Sequence, residues 1–218
     1  MKYVKQYLET FILAIAAGLC IGIGSVVFLF IENPIIGSFL FAIGLLTILV
    51  FRFNLYTGMV GYLTKNLYMK KWKYILTIKI VYIGNFIGSS LTAILIRLTN
   101  LDPDIILKCN NIVNSKLDET WYGLLILGLF CGIMMYIAVD TYKNRINIDN
   151  HFLCSAIIII CVMVFILAGF EHSIADIFYF VMSGRLKESV VPLLLITLGN
   201  SIGSNVIPLI LKLIKKDE

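Results

Sequence analysis

The sequence predicts an all-α integral membrane protein: six transmembrane helices built from two inverted three-helix repeats, with the second and fifth helices broken. Three observations carry this reading. Hydrophobic residues make up 60% of the 218 positions and charged residues only 14%, with a mean hydropathy of +0.94. A soluble domain carries nearer a quarter charged residues. Several apolar runs reach the roughly 20 residues that span a bilayer. Finally, Gly84-Asn85-Phe86-Ile87-Gly88-Ser89-Ser90 matches Gly199-Asn200-Ser201-Ile202-Gly203-Ser204-Asn205 at an offset of 115. The chain is read as one transmembrane domain, residues 1–218.

The first span covers about Leu8 to Ile31, with Gly18, Gly22 and Ser25 at the spacing that lets membrane helices approach closely. Asn33-Pro34 marks a turn. The second apolar run, Ile35 to Phe53, ends in the irregular stretch Phe51 to Gly58 and is followed by a basic loop with Lys65, Lys70, Lys71 and Lys73. The third span covers about Tyr74 to Leu98, with Lys79 near its start placed to reach the interface. A polar loop is expected from Thr99 to Glu119. The fourth span covers about Thr120 to Tyr142. The fifth covers His151 to Met182, interrupted at Gly169–Ser173, and the sixth Ser189 to Ile214. The repeats are residues 8–98 and 120–214; with three spans each, an odd number, they must be inverted.

Six spans place both termini on one side. Lys2, Lys5, Lys65, Lys70, Lys71, Lys73, Lys143, Arg145, Lys212, Lys215 and Lys216 fall on that side, against Arg97, Lys108, Lys116, Arg185 and Lys187 opposite. The positive-inside rule therefore makes the termini cytoplasmic in a multi-pass cell (plasma) membrane protein. The same clustering accounts for the net charge of +5 without nucleic acid. The first apolar run is too long for a secretory signal. Cys20, Cys109, Cys131, Cys154 and Cys161 show no C-x-x-C spacing and read as packing residues. A metal site needs three or four converging ligands, and the chain has two histidines far apart. With no H-E-x-x-H or G-x-S-x-G motif either, neither a metal, a cofactor nor an enzyme is expected.

The costly residues are Glu171 and His172, inside the apolar fifth span. Ionisable groups at that depth usually face a protein interior or a water-lined path. Adding the offset of 115 to Thr57 gives His172, so the two breaks are expected to occupy equivalent places. Interrupted helices in matching positions of inverted halves point to a transport site near the midplane. A broken helix exposes backbone N–H groups and a positive dipole end, which suits an anion or weak acid.

Gly169-Phe170-Glu171-His172-Ser173-Ile174-Ala175, Asn54-Leu55-Tyr56-Thr57 and Leu198-Gly199-Asn200-Ser201-Ile202-Gly203 together resemble the formate–nitrite transporter family, over about Thr10 to Leu213. The resemblance implies an aquaporin-like six-helix bundle assembled as a homopentamer, one pore per protomer, passing formate, nitrite, hydrosulfide or related small monovalent anions together with protons. It implies that His172 is the central pore histidine, Thr57 the threonine opposite it, Lys116 an anion-attracting lysine and Asn200 a nearby asparagine. Phe41, Leu45, Leu55, Tyr56, Met135 and Phe165 align with the apolar constrictions. Tyr56 and Met135 depart from the formate channel's phenylalanine and valine, Asn54 from its acidic residue, and Asp176 and Gly132 from asparagines.

From these residues we expect the permeant to take up a proton and cross as a neutral acid, hydrogen-bonded by Thr57, His172 and Asn200, because a bare charge cannot cross apolar rings cheaply. Glu171 is expected to orient His172 or to cap the half-helix. Arg52 and Asp176 are expected to form a buried pair.

Overall fold

The computed structural model describes residues 2–68, 72–144 and 151–214. Lys70, Lys71, Arg145, Lys215 and Lys216 of the basic count lie outside the described residues. Among those described, every regular element is a helix. In order they are α1 (Lys2–Phe30), α2 (Pro34–Val50), α3 (Tyr56–Val60), α4 (Leu63–Tyr68), α5 (Lys73–Arg97), α6 (Pro103–Leu117), α7 (Trp121–Asn144), α8 (His151–Leu167), α9 (Ser173–Met182) and α10 (Val190–Ile214).

Four of these, α1, α5, α7 and α10, are long and apolar enough to cross a membrane unaided. α2 and α8 have 17 residues each. At 1.5 Å per residue they reach only about 25 Å, short of the ~30 Å hydrocarbon core. Each is followed by a break and a short second helix, α3 and α9.

The two breaks have the same backbone. After α2, Arg52 takes a left-handed conformation (φ 58°); after α8, Gly169 does so (φ 70°). Phe53 N–H reaches back to Ile48 C=O at 2.9 Å, and Phe170 N–H to Phe165 C=O at 2.8 Å. Arg52 N–H donates to Leu49 C=O at 3.3 Å, and Gly169 N–H to Ile166 C=O at 3.2 Å. This is the Schellman pattern that closes helix C-termini. Arg52 adopts a conformation that costs a non-glycine residue about 1–2 kcal/mol.

Corresponding atoms of the two breaks are 117 residues apart, not 115. The structural counterpart of His172 is therefore Leu55; each is the extended N-cap residue of its short helix. The expected equivalence of Thr57 and His172 is corrected by two residues. The 115 offset holds for Asn85 and Asn200 on α5 and α10, but two fewer residues separate break from asparagine in the second half.

α1 packs along α5, and α7 along α10. A Cβ on Gly88 would strike Ile15 C=O of α1, and one on Gly203 would strike Leu129 C=O of α7. The glycines thus let two pairs of helix backbones touch, as membrane packing favours.

The expected polar loop from Thr99 to Glu119 is mostly helix. Asp102 caps α6, its carboxylate accepting from Asp104 N–H at 2.9 Å, and Pro103 takes the first helical position. α6 docks through Lys108, whose ammonium donates to the C=O groups of Phe28 (3.0 Å), Leu29 (3.1 Å) and Ile31 (2.7 Å). A cation thereby satisfies carbonyls left open at the C-terminus of α1.

Candidate functional site

His172 begins α9. Its Nδ1 accepts the Ala175 N–H at 3.2 Å, capping the helix. A neutral imidazole has one donor and one acceptor, so the cap places the proton on Nε2. That Nε2–H faces Thr57 Oγ1 at 2.9 Å. Thr57 is thereby an acceptor toward His172, and its own hydroxyl hydrogen is directed elsewhere. Both residues are buried, Thr57 fully.

Two asparagines hold the breaks in place. Asn200 Oδ1 accepts from Ser173 N–H at 2.9 Å, while its Nδ2 donates to Gly128 C=O and Glu171 C=O, both at 2.8 Å. Asn85 does the same in the other half: Oδ1 accepts from Tyr56 N–H at 2.7 Å, and Nδ2 donates to Ala14 C=O and Asn54 C=O, both at 2.8 Å. Both side chains are fully buried. Irregular backbone at membrane depth needs such partners. With both its amide hydrogens committed to carbonyls, Asn200 is a clamp on the break. The sequence led us to expect it as a hydrogen-bonding partner of the solute; in this structure its amide is committed to the backbone. Asn85 was missed as a functional residue, although it stands in the repeated Gly-Asn motif.

Two cavities approach this centre from opposite ends. One, about 340 Å³, lies beneath α6 and reaches Phe41, Phe165, Lys116, Glu171, His172 and Asp176. The other, about 590 Å³, opens where α7 finishes and is lined by Arg52, Leu55, Gly58, Val139 and Lys143 among others. On α2, Phe41 lines the first cavity and Leu49 the second, with Leu45 one turn from each and lining neither. On α7, Leu127 lines the first and Val139 the second, with Met135 between. Leu45 and Met135 are both buried, so helix register puts them in the apolar partition between the cavities. Phe165 stacks on the His172 ring at 5.6 Å and meets Phe41 edge-on at 5.9 Å.

Tyr56 stands apart from the other constriction residues and lines neither cavity. It is next to Thr57 on α3, about 100° around the helix, and is buried against α5 and α10. Its hydroxyl meets Ser201 Oγ at 2.7 Å, and its ring lies 4.9 Å from that of Tyr82.

Lys116 is on the last turn of α6 and buried, where a lysine in a polar loop was expected. Its ammonium is ion-paired with Glu171 and, at 2.9 Å, with Asp176. The expected Arg52–Asp176 pair is therefore absent: Arg52 is exposed at the other cavity, and Asp176 is held by Lys116. Glu171 neither caps α9, which His172 does, nor bonds His172; its carboxylate serves Lys116. The cavities differ in charge. The α6-side cavity is lined by Lys116 with Glu119, Glu171 and Asp176, the opposite one by Arg52 and Lys143 with no carboxylate among its described lining residues.

The Formate/nitrite transporter family profile matches residues 1–214. The chain belongs to this family. Its members are membrane channels rather than enzymes, and the long apolar helices mark a multi-pass membrane protein. The chain is 28% identical to the formate channel FocA of Escherichia coli K12 over 214 residues, which is 88% of this chain and 72% of that protein. It is 24% identical to the formate channel FocA of Haemophilus influenzae, over 80% of this chain and 66% of that one. In fold it is similar to a pentameric formate channel with formate bound: TM-score 0.79, 22% identity, 98% of this chain and 99% of that one. A second solved structure, an ion channel of the same family, gives a TM-score of 0.74 at 20% identity over 92% and 86% of the two chains.

Proposed function

We propose that this family member is a channel for small monovalent anions that cross as their conjugate weak acids, formate foremost, past a centre made by His172 and Thr57. The observation that carries the reading is the approach of two cavities to the Thr57–His172 hydrogen bond, one lined by His172 and the other by Leu55 and Gly58 on either side of Thr57, with Leu45 and Met135 as the apolar partition between them. Transfer of a bare charge across such a partition costs many kcal/mol, and the group neutralises instead. A neutral acid needs only short-lived polar partners, and the hydroxyl hydrogen of Thr57 supplies one. His172 acts here by hydrogen bonding: taking up a proton at Nδ1 would displace the Ala175 N–H and uncap α9. Arg52 and Lys143 gather the anion in one vestibule; in the other, Lys116 is already matched by carboxylates. Phe41 and Phe165 narrow the α6-side entry.

The matching contacts of the two breaks support two inverted three-helix halves, residues 8–98 and 120–214, in which α2–α3 and α8–α9 form the second and fifth spans. The distribution of Lys and Arg supports a plasma-membrane location with both termini in the cytoplasm. The pentameric relative supports a homopentamer with one such path per protomer. Nitrite and hydrosulfide are the alternative permeants, since both are conjugate bases of weak acids of similar size.

The test is flux into proteoliposomes of formate, nitrite and hydrosulfide, side by side over a pH series. The expected result is uptake above protein-free vesicles that is fastest for formate and rises as pH falls. Uptake no faster than in protein-free vesicles for all three would exclude the channel.

A further inference from the structure

The cluster of Lys116, Glu171 and Asp176 holds two carboxylates against one ammonium, all buried. With every group ionised the cluster carries a surplus negative charge, only partly offset by the roughly half-charge at the N-terminus of α9. Two carboxylates sharing a site in low dielectric do not both ionise freely, and a proton on one of them relieves the repulsion. Hydrogen bonding decides which oxygen bears it. Glu171 Oε2 and Asp176 Oδ1 are taken by Lys116, whereas Asp176 Oδ2 is buried without a hydrogen-bond partner. Asp176 also lines the α6-side cavity next to His172, its N–H donating to His172 C=O at 2.9 Å. An ionised oxygen without a donor is costly there. A hydroxyl at the same atom is a donor that the neighbouring Glu171 carboxylate or the oxygen of an incoming anion can accept.

From this geometry we propose that Asp176 is the proton donor of this channel: its Oδ2–H protonates the anion in the α6-side cavity, and the neutral acid then passes Thr57 and His172. The Oδ2–H bond breaks and an O–H bond forms on the anion. The electron pair stays on Asp176, so the negative charge moves from permeant to carboxylate, where Lys116 is in place to hold it. A proton from the bulk, relayed as hydronium through the same cavity, returns to Oδ2 and leaves water behind. For passage in the other direction the acid leaves its proton on Asp176. The charged groups acting on Asp176 are Glu171 and Lys116. The other titratable groups facing it are His172 at the break, Glu119 before α7, Tyr179 on α9, Cys131 on α7 and Tyr82 on α5. The proposal rests on the channel reading above and adds the group that makes permeation proton-linked.

The experiment compares wild type with Asp176→Asn, which keeps shape and leaves Lys116 paired with Glu171. Formate uptake by proteoliposomes is followed at fixed total formate over a pH series. Wild type should show a plateau on the acidic side and decline only above it, as Asp176 loses its proton. Asp176→Asn should show no plateau and fall about tenfold per pH unit, following the bulk fraction of neutral acid. Superposable profiles overturn the proposal. So does an infrared spectrum of the wild type at neutral pH that shows no un-ionised carboxyl stretch, a measurement that needs no variant to fold. A carboxyl band that weakens on adding formate supports it. Absence of uptake by the wild type overturns the channel reading itself, and this proposal with it.

Discussion

Replacing His172 with phenylalanine is expected to lower formate flux through reconstituted vesicles by about 10–100-fold. The ring volume is nearly kept, and stacking on Phe165 survives. What is lost is the Nε2–H that fixes Thr57 and the Nδ1 that caps α9. An acid crossing the partition then meets a threonine free to turn its hydroxyl to its own backbone, as threonines do. A polar group left unsatisfied in apolar surroundings costs about 1–3 kcal/mol, and every 1.4 kcal/mol is tenfold. Loss of the cap adds a stability cost of about 1 kcal/mol. His172→Asn separates the two effects, because asparagine is a favoured N-cap but too short to reach Thr57. It should retain thermal stability near wild type while losing flux. Unchanged rate and pH dependence in His172→Phe would remove the imidazole from the centre of the pathway.

The largest effect on folding is expected from Asn200→Leu. The side chain is fully buried, and its removal strands Glu171 C=O and Ser173 N–H and takes the second donor from Gly128 C=O, which keeps its bond within α7. At about 1–3 kcal/mol for each of the two buried groups left unsatisfied, the loss is on the order of 2–6 kcal/mol. A domain's whole stability is about 5–15 kcal/mol. The variant should yield little monodisperse protein in detergent, and what survives should unfold at markedly lower temperature. Asn85→Leu should behave alike, since it strands Asn54 C=O and Tyr56 N–H and takes the second donor from Ala14 C=O, which keeps its bond within α1. The two losses are expected to be of similar size because the clamps are the same. If either variant unfolds like the wild type, the asparagines do not hold the breaks.

Much of this was legible in the sequence, for identifiable reasons. Apolar runs and the repeated Gly-Asn motif located the long helices and both interruptions, because hydropathy and small residues act locally along one helix. The register of the breaks was not legible at an offset of 115, since the chain between break and clamp differs in length in the two halves. Arg52 hid the first break's cap: the left-handed position usually taken by glycine is visible as Gly169 in the second half but carries a long charged side chain in the first. α6 did announce itself through Asp102-Pro103-Asp104, a cap, a first-turn proline and a first-turn acid; its sparse apolar pattern made it read as loop. The surroundings of Lys116 could not be read, because Glu171 lies 55 residues away in sequence. Tyr56 and Thr57 show the same limit at short range. Neighbours on one helical turn face different partners, and only α5 and α10 decide which of them meets the pathway.

The central claim is that the permeant crosses as a neutral acid. It is tested most directly by recording formate uptake and lumenal pH together in proteoliposomes of the wild-type protein, with the membrane potential clamped by potassium and valinomycin or left free. The expected result is lumenal acidification that tracks uptake and exceeds that of protein-free vesicles, with a rate indifferent to the clamp, because the acid carries no net charge and releases its proton inside. Uptake that stalls without the clamp and leaves the lumenal pH unchanged would show a bare anion crossing, and would contradict the account.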